Sequence, residues 1–81
     1  MFFVYILRSL TDSSFYVGFS TDVEKRIHEH NYGRTGYSSL KRPWKLVYQE
    51  VFQTKSEAIK RERQIKGQKS KIYIESLISA P

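Results

Sequence analysis

The chain has 81 residues, a length that suits one small domain, and we expect a single domain over residues 1–81. It contains no cysteine, which excludes a disulfide framework and thiolate metal sites and favours a reducing compartment. Fourteen lysines and arginines against eight acidic residues give a net charge of +6, which favours a polyanionic partner, nucleic acid ahead of an acidic membrane.

The apolar segments are too short for membrane insertion or export. No run approaches the roughly 20 apolar residues of a membrane span. The N-terminal run FFVYIL is shorter than the apolar part of a secretory signal, and no basic segment precedes it. We therefore expect a soluble, cytoplasmic protein without a membrane partner.

The first two predicted elements are strands joined as a hairpin. Residues 2–7 (FFVYIL) are apolar without alternation, which is typical of a central strand covered on both faces. After a turn rich in Thr, Asp and Ser, residues 15–19 (FYVGF) predict the second strand. A symmetric hairpin would place Tyr5 opposite Tyr16. Gly18 would share their face and leave a gap beside the two phenols.

Helices and a third strand follow the hairpin. Thr21 and Glu24 have capping-box spacing at the start of a short amphipathic helix. A loop with two glycines leads to a strand over residues 44–52. Thr54 and Glu57 repeat the capping-box spacing before a second amphipathic helix, and Gly67 is expected just after its end. A last helix is predicted through residues 72–79. The expected fold is α+β: a three-stranded antiparallel sheet with a central first strand, flanked by about three helices.

Three polar side chains occupy helical positions close to the apolar stripes. Arg26 and His30 are four residues apart and share a face of the first helix. They can equally be an arginine extending over the core and a core histidine with satisfied hydrogen bonds. Glu62 falls within the arc bounded by Ala58, Ile59 and Ile65. A carboxylate there should be protonated, paired or metal-bound, because burying it unpaired is costly. A salt bridge to Arg26 or a lysine is the structural alternative.

Basic residues cluster in the glycine loop and along the second helix. Such residues can contact phosphates, although most basic runs are solvated helix faces. The candidate nucleic-acid contacts are Arg34, Lys41, Arg42, Lys66, Lys69 and Lys71.

Taken in order, these residues resemble the GIY-YIG nuclease superfamily. VYI at residues 4–6 and YVG at residues 16–18 stand where that family has its two triplets, and both tyrosines are kept. Arg26 and His30 match the family's arginine and the ring one turn later, and Glu62 matches its glutamate. The resemblance spans nearly the whole chain and is closest to short stand-alone bacterial members.

The resemblance implies a DNA endonuclease that uses one divalent cation, Mg²⁺ or Mn²⁺. Tyr5 would be the general base, with Tyr16 positioning the water or phosphate and His30 supporting it or relaying the proton. Arg26 would clamp the phosphate, and Glu62 would hold the metal. Branched or damaged DNA is a candidate substrate, RNA stays an alternative, and a protein partner could direct the domain.

One departure from the family pattern leaves a second interpretation open. Many active members carry an asparagine soon after the glutamate helix, whereas the only asparagine here is Asn31. Lys69 or Lys71 could replace it, or the chain could be a nucleic-acid-binding module with the GIY-YIG fold and little cleavage activity. A basic RNA-associated structural protein would not require the tyrosines, arginine and glutamate together.

Overall fold

The computed structural model describes residues 1–33 and 40–79. Its elements are β1 (Phe2–Ser9), β2 (Phe15–Ser20), α1 (Val23–Tyr32), β3 (Trp44–Phe52), α2 (Lys55–Gln68) and α3 (Lys71–Ser79). The strands form one antiparallel sheet in the order β2-β1-β3. The predicted α+β class and the central position of the first strand are therefore confirmed.

The register of the β1–β2 hairpin differs from the symmetric prediction by two residues. Tyr5 pairs with Gly18, and Leu7 pairs with Tyr16, so the predicted Tyr5–Tyr16 pair is wrong. The hairpin closes where Ser9 N donates to Ser14 O at 2.8 Å, because Ser13 adopts a left-handed φ of 64° and shortens the turn. A shift of two residues keeps both phenols on one face, whereas a shift of one would have separated them.

The two faces of β1 are covered by different helices. Val4 and Ile6 pack with Ala58 and Ile65 of α2, and β2 adds Val17 to this cluster. The opposite face carries Tyr5 and Leu7, which pack with Val23 of α1 and with Trp44. This double coverage explains why β1 has a continuous apolar run. It also places α1 and α2 on opposite sides of the sheet.

The start of α1 is one residue away from the predicted cap. Asp22 is the N-cap, and its Oδ1 accepts a hydrogen bond from Lys25 N at 3.1 Å. The prediction of Thr21 as the cap is wrong because the Asp22 side chain takes that role. The start of α2 agrees with the prediction, since Thr54 Oγ1 accepts from Glu57 N at 3.2 Å.

The end of α2 lies beyond Gly67, contrary to the prediction. Gly67 lies within the helix, and Lys69 is the C-cap with a left-handed φ of 48°. The next helix starts almost at once, where Ser70 Oγ accepts from Tyr73 N at 3.2 Å. Among the helices in residues 1–33 and 40–79, none has the length and apolar composition needed to span a membrane.

A polar network fixes α2 against β3 and α3. Arg61 donates from Nε and Nη2 to the two carboxylate oxygens of Glu50, at 2.9 and 3.0 Å, and from Nη1 to Tyr73 Oη at 3.3 Å. Tyr48 donates to the same carboxylate. Burial raises the pKa of Glu50, but the hydrogen bonds from Arg61 and Tyr48 outweigh it and leave that pKa lowered. The network fixes the rotation of α2 about its axis.

Candidate active site

Tyr5 lies at the centre of the site and is fully buried. A Cβ added to Gly18 would stand only 2.7 Å from Tyr5 Oη and 2.9 Å from Tyr5 Cζ. The predicted gap beside the phenols is therefore filled by Tyr5 itself. The missing side chain lets the phenol lie across the edge strand β2. Tyr5 Oη has no hydrogen-bond partner among the described residues.

An aromatic cluster surrounds the phenol on the α1 side of the sheet. The rings of Tyr5 and Tyr16 are stacked diagonally, with centroids 6.3 Å apart and an angle of 25° between them. His30 meets Tyr16 edge to face, with centroids 4.4 Å apart, and Trp44 lies 6.1 Å from the His30 ring. The sequence-predicted Tyr5, Tyr16 and His30 are therefore brought together, and Trp44 completes their enclosure.

Arg26 brings positive charge to this cluster from α1. Burial raises the pKa of Tyr5 above its usual value, and the nearby Arg26 guanidinium partly offsets that increase. Arg26 also pairs with Glu29 at 3.6 Å, and its side chain is 44% exposed. The guanidinium is thus close enough to act on the phenol while still reaching solvent, where a phosphate could meet it.

His30 is buried at the last turn of α1, and neighbouring residues hold that turn. Arg42 Nε donates to His30 O at 2.9 Å. Asn31 clamps the Trp44 backbone: its Oδ1 accepts from Trp44 N at 2.6 Å, and its Nδ2 donates to Trp44 O at 3.1 Å. Burial, followed by the charge of Arg26, lowers the pKa of His30, so the imidazole is neutral near pH 7. Its Nδ1 finds no hydrogen-bond partner within the described part of the chain.

Glu62 reaches the site from the opposite side of the sheet. α2 packs on the face of the sheet that carries Val4 and Ile6, which is opposite to the face that carries the phenols. Nevertheless, the charge of Glu62 contributes to raising the pKa of Tyr5, so the two groups interact. The Glu62 side chain is 15% exposed and pairs with Lys66 at 3.6 Å. Glu62 is therefore a largely buried carboxylate in the apolar stripe, and its pairing with a lysine is the structural alternative stated from the sequence.

Glu62 is the carboxylate available to hold a metal here. The described residues contain no group of three or more His, Cys, Asp or Glu side chains arranged to bind a metal ion. Mg²⁺ keeps several waters and is commonly held by one or two carboxylates together with substrate phosphate, so this donor set fits it. The Glu62 carboxylate pairs with Lys66 at 3.6 Å, and a metal cation would have to displace that lysine.

Of the predicted nucleic-acid contacts, some line a cavity, some make contacts within the protein, and one lies outside the described residues. Lys66, Lys69 and Lys71 line a cavity of about 530 Å³ beside β2. Lys41 forms an ion pair with Asp12 at 3.1 Å, and Arg42 donates a hydrogen bond to the backbone of α1. Both side chains therefore take part in contacts within the protein. Arg34 lies outside the described residues. A role for any of these side chains in binding nucleic acid stays a prediction.

Sequence reasoning missed residues that support the site rather than form it. Asn31, Trp44 and the Glu50–Arg61 pair hold α1 and α2 in place. Trp44 follows a proline at the start of an apolar strand, which is a signal of burial. The other three are polar residues on amphipathic elements, and no local pattern separates them from solvated ones.

Comparison with known proteins identifies the family of this chain. The sequence model of the GIY-YIG catalytic domain matches residues 1–74. A UPF0213 protein of Staphylococcus saprophyticus is 51% identical over 65 residues, which cover 79% of this chain and 78% of the relative. A UPF0213 protein of Staphylococcus aureus is 49% identical over 65 residues, with the same coverage of both chains.

A solved structure shows the same fold. The solution NMR structure of a UPF0213 protein from Bacillus halodurans aligns with a TM-score of 0.61 at 37% sequence identity. The alignment covers 98% of this chain and 84% of the other. With a family match over residues 1–74, relatives at about half identity and a solved relative of the same fold, this chain belongs to the GIY-YIG family.

Proposed function

We propose that this chain is a metal-dependent endonuclease that hydrolyses DNA phosphodiester bonds. The observation that carries the proposal is the surroundings of the buried Tyr5 Oη, which makes no hydrogen bond of standard geometry among the described residues and lies beside the Arg26 guanidinium. Tyr16 of β2, Arg26 of α1 and Glu62 of α2 each act on this group from a different element. The GIY-YIG domain implies a nuclease-type function and a nucleic-acid substrate.

In this proposal Tyr5 is the general base. Water attacks the phosphorus in line, its proton passes to Tyr5 Oη, and the bond from phosphorus to the leaving oxygen breaks. Arg26 binds the phosphate oxygens and favours the phenolate through its charge. Tyr16 orients the water or the phosphate. His30, neutral and packed edge to face on Tyr16, keeps that ring in place.

Glu62 is the residue proposed to hold the cation, Mg²⁺ or Mn²⁺. GIY-YIG nucleases generally use a divalent metal, and a single carboxylate suits an ion that keeps much of its hydration shell. When bound, the cation supplies charge neutralisation at the phosphate and stabilises the leaving oxygen. Binding of the cation to Glu62 would displace Lys66 from this carboxylate. The freed Lys66 ammonium could then contact a neighbouring phosphate.

The second candidate is a nucleic-acid-binding module with little cleavage activity. It is favoured by the raised pKa of Tyr5, which makes the phenol a poor base until further positive charge arrives. The absence of an asparagine after α2 points in the same direction. In either case we propose one domain over residues 1–81 that acts on DNA in the cytoplasm, with RNA as an alternative and a protein partner for targeting.

The test is cleavage of supercoiled plasmid and of labelled linear, branched and damaged DNA, with Mg²⁺, with Mn²⁺ and with EDTA. Wild type is compared with Tyr5→Phe and Glu62→Ala. Tyr32→Phe and Glu24→Ala serve as matched controls, because each removes the same group from an exposed surface position. Labelled RNA of the same sequence tests the alternative substrate.

The expected result is metal-dependent cleavage that falls by about 10²-fold or more in Tyr5→Phe and Glu62→Ala and is unchanged in the two controls. Binding without cleavage under all these conditions would support the binding module. Equal cleavage by wild type and Tyr5→Phe would remove Tyr5 from the mechanism.

A further inference from the structure

A cavity of about 530 Å³ lies between β2 and the junction of α2 and α3. Its volume is within the range of small-ligand sites, about 300 to 1,000 Å³. The floor is apolar and formed by Phe15 and Val17 of β2, Ile65 of α2 and Ile74 of α3. β2 is an edge strand of the described sheet, so the cavity lies at one side of that sheet.

Three lysines line the same cavity. Lys66 and Lys69 come from the end of α2, and Lys71 begins α3. The Lys71 ammonium lies 5.9 Å from the centroid of the Phe15 ring, where a cation is attracted by the ring face. Asp12 also lines the cavity, but it is engaged in an ion pair with Lys41 at 3.1 Å. The net charge around the apolar floor is positive.

The cavity shares two residues with the candidate active site. Tyr16 lines it and also stacks on Tyr5. Lys66 lines it and also pairs with Glu62. A group seated in the cavity is therefore next to the place where the proposed reaction occurs.

We propose that the cavity receives one nucleotide of the substrate strand, with its base against Phe15 and its phosphates against the lysines. This inference rests on the proposed function, because it adds a base-binding subsite to that site. A flat apolar surface with an aromatic ring suits the face of any base, and cations beside it suit the adjoining phosphates. An acidic peptide would match the lysines but would leave the aromatic, apolar floor without a counterpart.

The test measures binding rather than cleavage. Wild-type protein in EDTA is titrated into fluorescein-labelled single-stranded oligodeoxynucleotides in which one nucleotide at a time is replaced by an abasic residue. The same series is measured with Phe15→Leu, which keeps an apolar side chain but removes the ring. Phe19→Leu is the matched control, because Phe19 packs on the same core cluster and does not line the cavity. Circular dichroism verifies the folding of both variants.

The proposal expects one position at which base removal weakens wild-type binding about tenfold. That penalty should disappear in Phe15→Leu and persist in Phe19→Leu. A uniform abasic series, an equal penalty in Phe15→Leu, or no binding to any oligonucleotide would overturn the proposal. Poly-glutamate that competes equally well against wild type and Phe15→Leu would also overturn it, since the cavity would then recognise charge alone.

These outcomes are separable from those of the nuclease assay. Cleavage with a uniform abasic series would retain the endonuclease proposal and reject the base subsite. A Phe15-dependent penalty without cleavage of any substrate would retain the subsite and reject the endonuclease.

Discussion

At the scale of single residues, the surroundings of Tyr5 oppose the ionisation of its phenol, which the proposed role as general base requires. Burial raises its pKa, so the phenol is protonated throughout the neutral range, and Arg26 only partly offsets this effect. Since the reactive form is the phenolate, its fraction increases with pH everywhere below the pKa. We therefore expect kcat/KM for DNA cleavage to rise about tenfold per pH unit between about pH 7 and 9.

The pH–rate profile of wild type, measured beside Tyr5→Phe and His30→Gln, checks this expectation. Tyr5→Phe should lose the rise, whereas His30→Gln should keep its slope at a lower absolute rate. A rise that levels off near pH 7, persists in Tyr5→Phe and vanishes in His30→Gln would assign the base to His30.

Gly18 is the residue that makes room for Tyr5. In Gly18→Ala the new Cβ would lie 2.7 Å from Tyr5 Oη and 3.1 Å from Tyr16 Cε1, so at least one ring must move. We expect this variant to lose cleavage activity and about 1–3 kcal/mol of stability, as measured by urea denaturation. Gly67→Ala is the control, because a Cβ there meets nothing within 4 Å and alanine favours the helix. It should be more stable by about 0.5–1 kcal/mol.

At the scale of elements, the orientation of α2 depends on one partly buried ion pair. Arg61 and Glu50 bond through two oxygens, and their side chains are about one-fifth exposed. Arg61→Met leaves the Glu50 carboxylate partly buried without its cation and should lower the free energy of unfolding by about 1.5–3 kcal/mol. Adding Glu50→Gln should recover part of this loss. A double-mutant cycle by urea denaturation measures the coupling, and additive losses would contradict it.

The elements themselves are predictable from sequence because their signals are local. The apolar run of β1 and the Thr54–Glu57 box of α2 each lie within a few residues. Helical periodicity also identified Glu62 as a half-buried carboxylate. The hairpin register was not predictable, since it depends on the left-handed Ser13. The side of the sheet on which Glu62 lies was also not predictable. It depends on which face α2 covers, and this is set by long-range packing that has no local sequence signal.

At the scale of the whole molecule, the net charge of +6 should govern how binding depends on salt. Each lysine that neutralises a phosphate releases condensed counterions, so the slope of log K against log salt concentration falls by about 0.7 to 0.9 when that contact is removed. If Lys69 and Lys71 contact the substrate beside the site, Lys69→Asn with Lys71→Gln should reduce the slope by roughly 1.4 to 1.8.

Asparagine suits position 69 because it tolerates the left-handed backbone there, so the substitution removes charge without breaking the junction of α2 and α3. Lys25→Gln with Lys45→Gln removes the same charge from exposed positions on α1 and β3 and serves as the control. Both pairs lower the net charge by two, so a general field effect would change both slopes equally. Fluorescence anisotropy across a salt series distinguishes the cases: a smaller slope only for positions 69 and 71 indicates direct phosphate contacts, and equal changes indicate long-range attraction alone.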